Sequence, residues 1–478
     1  MLDINRYNTE YHLEDGIKFK DNWTATIRVL PFNLNPSTSG FDKNCGLSGI
    51  TGAFFRKWGS IDVEPIQNYK NNVEEPVCSY LHDTGKMNRY QQQQFMHVVK
   101  DILYPEGKMS VIDATFLPYI PLVEETIKET RTGKKYIDGQ KKLADYLYSM
   151  LLEDNREMPN QLKGEENLFS KSIREGMQRG QFLNLHNNDE YYILPFIKKL
   201  FKDDLLWLMN QEDYVIVKNA HYLLHFYACL SISQTIAHIV HWKECNENDI
   251  IHFYYMLSSE SASESRDVVG SGWEKWISRD YLQNLLARAQ ALDIFNTLTG
   301  DKPIGLYSEI INSLGQESFL ENKNICERVL SEYHKDKYDL LKERQNINQE
   351  DLQTDYDYTV NSYEEFFQKL TNLCIEFQSP DYKNRLEKKV RDLFEVKFLR
   401  NRRGLRVLVL DEDILIFLIA MVTKEQRMKL DEMYNAFHKY GIFFDMNTRI
   451  AIEAQLSKLN LLDKKSDSGE AQYVRVVL

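Results

Sequence analysis

Cysteine is scarce in this chain. Six are spread over 478 residues, at Cys45, Cys78, Cys229, Cys245, Cys326 and Cys374, and no two form a C-x-x-C pair. That spacing excludes a paired-thiolate metal knuckle, and it fits free thiols in a reducing cytoplasm. No apolar run is read as long enough to span a bilayer, so no membrane segment is expected. The polar start, Met1 to Lys20, lacks the apolar stretch of a signal peptide. Neither the G-x-x-x-x-G-K-[ST] loop of a nucleotide hydrolase nor the G-x-G-x-x-G of a dinucleotide fold occurs, and H-E-x-x-H is missing. Positive charge is in deficit: 59 Lys and Arg against 71 Asp and Glu leave −12. The surface as a whole is therefore not suited to coating nucleic acid, and any DNA contact must be local or supplied by a partner. No cofactor, metal or catalytic residue is expected.

What is there describes an ordinary globular protein, with 43% hydrophobic and 27% charged residues. Two or three domains fit the length. The pattern predicts a mainly α fold: a multi-helical body with a small irregular or β N-terminal part, and a C-terminal winged-helix domain. The segments are 1–90, irregular with short strands such as Thr24 to Leu30; 91–300, a helical core; 301–400, a second helical region ending in a basic stripe; and 401–478, the winged helix.

The last segment carries the clearest pattern. Leu410 to Val422 reads as a buried helix with Asp411, Glu412 and Asp413 in its first turn, where the helix dipole favours them. Lys429 to Tyr440 is a second helix, with Leu430, Met433, Tyr434 and Phe437 at three- and four-residue steps and Gly441 as its stop. A third, capped by Asp445 or Asn447, runs to about Leu459 with Ile450, Ile452, Leu456 and Leu459 inward. Two strand-like runs, Leu461 to Ser466 and Ala471 to Leu478, flank Asp467-Ser-Gly-Glu470, which has tight-turn chemistry. Three helices closed by a hairpin make a winged helix, whose third helix and hairpin can approach a duplex. On that reading Arg449 and Lys458 of the third helix, and Lys464, Lys465 and Arg475 of the wing, are candidate DNA contacts. From residue 401 onward, however, twelve Lys and Arg meet eleven Asp and Glu, so protein docking stands equally open.

Elsewhere the signals are weaker. Gly40, Gly46, Gly49 and Gly52 suggest a packed loop with unusual dihedrals rather than a phosphate cradle. The run Tyr214 to Trp242 is the expected most-buried helix. Its His221, His225, His238 and His241 read as hydrogen-bonded core residues more readily than as a zinc site. Ser258 to Gly272 and Asp301 to Glu317 read as solvated joints. Lys383 to Arg406 concentrates ten cations, among them Lys388, Lys389, Arg402 and Arg403, against Glu387, Asp392 and Glu395. Such a stripe could neutralise phosphates or pair with acidic protein surface. Within it, Pro380-Asp381 and Glu387-Lys-Lys389 mimic a metal nuclease signature, but Leu386, Val390 and Leu393 mark an amphipathic helix instead.

Arg403-Gly-Leu-Arg-Val-Leu-Val-Leu-Asp411, Tyr440-Gly-Ile-Phe-Phe-Asp445 and Leu459 to Val474 together resemble the end of the DptG (DndG) proteins, with a weaker likeness at Asn44-Cys-Gly-Leu-Ser-Gly49. The likeness covers roughly the last seventy-five residues. It implies a non-catalytic subunit of a bacterial phosphorothioation-dependent DNA restriction complex, acting in antiphage defence. DNA and ATP-driven DptF-like and DptH-like subunits would be its partners. The resemblance offers no catalytic residue to carry over. A free-standing winged-helix transcription regulator and a metal-dependent nuclease are the alternatives.

Overall fold

The computed structural model describes residues 2–11, 29–32, 47–61, 85, 87–103, 111–120, 122, 131–151, 170–171, 191–257, 270–300, 305–343, 356–378, 380–402, 404–424, 426–464 and 472–476. The expected strand from Thr24 and the loop from Gly40 to Gly46 lie almost wholly outside them.

The protein is mainly helical. The body comprises α1 (Ile4–Tyr11), α2 (Ser48–Trp58), α3 (Arg89–Leu103), α4 (Arg131–Ser149), α5 (Pro195–Met209) and α6 (Asp213–Val240). After strand β1 (Phe253–Met256) it continues through α7 (Trp273–Trp276), α8 (Arg279–Thr299), α9 (Tyr307–Leu314), α10 (Phe319–Glu343), α11 (Tyr363–Glu376) and α12 (Pro380–Glu395). Helix α9 occupies part of what the sequence suggested was a solvated joint. Ile310 and Ile311 give it a buried side, enough to hold it on the body.

Helix α6 is the axis of the body. It is apolar all round, as a core helix must be, and is buried from Val215 to Val240 apart from a few positions near its start. By length and composition it could cross a membrane, contrary to the sequence expectation, but protein encloses it on every side. Gly49 and Gly52 lie in helix α2, not in a loop. A Cβ at Gly52 would stand 2.3 Å from the carbonyl oxygen of Ile120, and one at Gly49 2.4 Å from that of Leu122. These glycines serve close backbone approach rather than unusual dihedrals.

The tail consists of β2 (Leu399–Arg402), β3 (Leu405–Val409), α13 (Glu412–Thr423), β4 (Met428–Lys429), α14 (Leu430–His438), β5 (Ile442–Phe443), α15 (Met446–Lys458), β6 (Leu462–Lys464) and β7 (Gln472–Val474). Two sheets form. The first has the order β2-β3-β1-β5, with β1 parallel to both β3 and β5. The second has the order β4-β7-β6, with both pairings antiparallel. A strand of the 91–300 segment thus pairs with two strands of the tail, and one apolar core extends from Leu2 to Val474 across the expected boundaries.

Polar contacts reinforce this union. Asp204 of α5 is 1% exposed. It accepts hydrogen bonds from the hydroxyls of Tyr227 at 2.5 Å and Tyr440 at 2.9 Å, and is paired with the Lys424 ammonium. Lys424 reaches it from the left-handed C-cap of α13, at φ 48°. Burial raises the Asp204 carboxyl, opposed by Lys424 and the two phenols. At Gly441, φ is +66° and an added Cβ would stand 2.4 Å from the carbonyl oxygen of Ile251, so the residue permits both a turn and a close approach. Asp204→Ala would leave two buried phenols and an ammonium without their acceptor. It should cost about 3 kcal/mol or more, read as a fall in the urea midpoint of unfolding. A midpoint unchanged within error would show that these contacts carry no weight.

Candidate macromolecule-binding surface

The three tail helices form where capping and periodicity predict. The Asp411 side chain accepts from the backbone N–H of Ile414 at 3.1 Å and starts α13. Asp445 accepts from Thr448 at 2.9 Å and starts α15. Ile414, Leu415, Leu418, Met433, Phe437, Ile452 and Leu456 point into the core. Ile450 does not. It is 58% exposed, with Met446 one turn earlier at 73%, while Thr448 takes the inward position. The expected inward face of α15 is therefore rotated, and its outward face carries two bare apolar side chains.

The strands confirm antiparallel pairing of β6 with β7, in register Leu462 with Val474 and Lys464 with Gln472. The turn Asp467 to Glu470 and Lys465 lie outside the described residues, as does the side chain of Lys464. Arg475 is not a bare cation: it meets Asp463 at 2.5 Å. The hydrogen bond from Arg475 holds the Asp463 carboxyl below its ordinary range, and Asp463 in turn raises Arg475. Arg427 shares the same carboxylate at 3.2 Å and lies over the Tyr473 ring. Arg449 stacks on Tyr434, with its guanidinium 4.7 Å from the ring centre, and donates to the carbonyl of Phe444. Lys458 is exposed at the end of α15.

The basic stripe is likewise engaged within the chain. Lys388 pairs with Asp392 at 2.7 Å, and Arg391 with Glu387 at 2.9 Å. Arg406 and Arg279 converge on the same Glu387, which is 5% exposed. Lys397 meets Asp411, and Arg400 donates to the carbonyls of Glu395 and Leu399. Arg402 is half-buried in β2 and has a partner of its own; Arg403 lies outside the described residues. Lys389, expected among the DNA contacts, is 5% exposed and does not belong to an open surface. Glu387 stands in a helix amid arginines, an arrangement unlike the strand-borne carboxylate pair of a metal nuclease.

The α6 histidines divide into two separate environments. His225 and His238 are thirteen residues apart, about 20 Å along a helix. The Nε2 of His225 lies 3.0 Å from the carbonyl of Leu393, and His238 meets the carbonyls of Gln234 and Asn246. Among the described residues no group of three or more His, Cys, Asp or Glu is placed to hold a metal. Burial pushes His225 down to about 3.

The first β sheet adds an aromatic stack that the sequence did not reveal. Phe443 of β5 lies between His252, with ring centres 4.0 Å apart, and His438, at 3.9 Å. No sequence period could announce it, because its members belong to segments nearly two hundred residues apart.

No protein-family model matches the chain, and no curated protein matches it.

The depressed His225 gives a pH signature. Its folded value lies below the unfolded one of about 6.5, so its contribution is complete above that value and is lost as pH falls toward about 3. Between pH 7 and pH 5 this residue should cost the protein about 2 kcal/mol. His225→Gln should lose that much less than the parent, measured by urea unfolding at both pH values. Equal losses would contradict the burial of a neutral imidazole.

Proposed function

We propose that this chain is a non-catalytic docking subunit of a phosphorothioation-dependent DNA restriction complex, and that α13, β4, α14, α15, β6 and β7 form a winged helix that engages a partner protein. The element order α13, β4, α14, β5, α15, β6, β7, with β5 given to the first sheet and β4 closing a three-stranded second one, supports the winged-helix reading. The resemblance of the tail to DptG proteins supplies the setting. Motor and cleavage chemistry would then belong to DptF-like and DptH-like partners.

The observation that favours protein over duplex as the main contact of α15 is its outward face. Met446 and Ile450 stand one turn apart and exposed where a groove-reading helix presents polar donors. Burying two such side chains stabilises a complex by about 2 kcal/mol each. The nearby cations Arg449 and Arg475 are already engaged within the chain. DNA contact would fall to Lys458 and to the wing residues Lys464 and Lys465.

The test is binding of the purified full chain to purified DptF-like and DptH-like proteins, by calorimetry or surface plasmon resonance. Met446→Glu with Ile450→Glu should weaken that binding at least about tenfold without lowering the melting temperature. Lys464→Glu with Lys465→Glu should leave it intact. If the first pair changes nothing and the second abolishes retention of a DNA duplex at low salt, the tail is a nucleic-acid module instead. A specific operator footprint by the chain alone would favour a free-standing regulator.

A further inference from the structure

The stack of His252, Phe443 and His438 stands at one edge of the first sheet, where β5 has β1 on one side and, among the described residues, no strand on the other. Both imidazoles lie close to parallel with the Phe443 ring, at 28° and 6°, so each covers one of its faces. Tyr254 follows His252 on the same side of the extended chain, and its ring centre is 5.9 Å from that of Phe443. The far face of His252 has no such cover: the residue is exposed, and among the described residues no second ring meets it. Burial lowers both imidazoles from their ordinary value, and at His438 the charges of Arg449 and His252 add to the effect. At neutral pH the ladder therefore ends in an uncharged planar ring that faces solvent.

A cation stands beside that ladder. The Arg449 guanidinium lies over Tyr434, one turn before His438 on α14, and its Nε donates to the carbonyl of Phe444, the neighbour of Phe443. These two contacts hold it next to the stack. Its terminal nitrogens donate to no acceptor among the described residues, and neither Arg449 nor the two histidines form an ion pair there. Glu453, one turn later on α15, does not pair with it. A flat ring open on one side, near a guanidinium whose charge no carboxylate meets, complements a planar group that carries a phosphate. That group is a nucleobase. An aromatic side chain of a protein would stack as well, but it brings no anion with it. In a duplex each base already has neighbours on both faces, so the base must come from a single strand.

We propose that His252, backed by Phe443 and His438 and accompanied by Arg449, binds single-stranded nucleic acid: one unpaired base lies on His252, and Arg449 takes a phosphate of the same stretch. Every base has a π face, so such a site selects for unpaired strand and not for sequence. Phe443 and His438 are positioning residues, which hold His252 flat and outward. The inference stands apart from the docking role proposed for Met446 and Ile450.

Fluorescence anisotropy of a labelled oligothymidine, titrated with the full chain at low salt, measures the binding. His252→Ala should weaken it at least about fivefold, the worth of one base–ring stack, while His252→Tyr, which restores a flat ring, should keep it. An abasic strand of equal length has the same phosphates and no bases. It should bind more weakly than oligothymidine and should not respond to His252→Ala. Arg449→Gln should lessen the slope of log affinity against log salt by about 0.7, the share of one phosphate on a single strand. His252 is exposed, so its variants should fold, and melting curves check this for them and for Arg449→Gln. Failure to bind oligothymidine, equal affinity for the abasic strand, or affinity indifferent to His252→Ala overturns the proposal. Weaker binding of a DptF-like or DptH-like protein by His252→Ala, with oligothymidine binding unchanged, would assign the stack to protein docking and overturn it too.

Discussion

The structure turns on a single buried carboxylate. Asp204 gathers one phenol from α6, one from the end of α14 and an ammonium from the end of α13. A charge with so little access to water persists only when its partners are held in place, and each partner here belongs to a different element. The aromatic packing around it serves the same end. Phe417 of α13 stands against both Trp207 and Tyr222, and Lys424 lies over the Trp207 ring. The tail is therefore seated on the body by polar and apolar contacts at one junction, beside the parallel pairing of β1 with β3 and β5.

That seating constrains what the tail can do. Its inner helices give their apolar faces to the core, and among the described residues α15 and the β6–β7 ribbon stand outward of them. A rigid mount agrees with the docking role proposed above, since the exposed side chains of Met446 and Ile450 are carried on an already formed helix. The engagement of the stripe cations with Glu387, Asp392, Glu395 and Asp411 has a related meaning. These pairs tie α12 to the sheet and to the start of α13, and they offset part of the stripe's positive charge.

The tail helices were legible because their signals are local. Asp411 and Asp445 act as caps within three residues, and Gly441 ends α14 through its own positive φ. The inward face of α15 was misjudged at Ile450 because apolar residues there occupy two sides of the helix, and periodicity alone does not say which side meets the core. Strands β1 and β3 were not foreseen: each is only four or five residues long, and their pairing joins segments far apart in sequence. The basic stripe was counted correctly as charge. Counting cannot reveal that Arg391, Arg406 and Arg279 share one carboxylate, since two of those contacts come from outside the helix.

The position of β1 also bears on how the chain is made. Its neighbours β3 and β5 leave the ribosome roughly 150 to 190 residues later, about ten seconds or more at ordinary elongation rates. Through that interval Phe253, Tyr255 and Met256 wait without the strands that will flank them. A nascent chain halted before Leu405 would present an open apolar ribbon on both edges, a natural target for holding chaperones and a hazard for self-association.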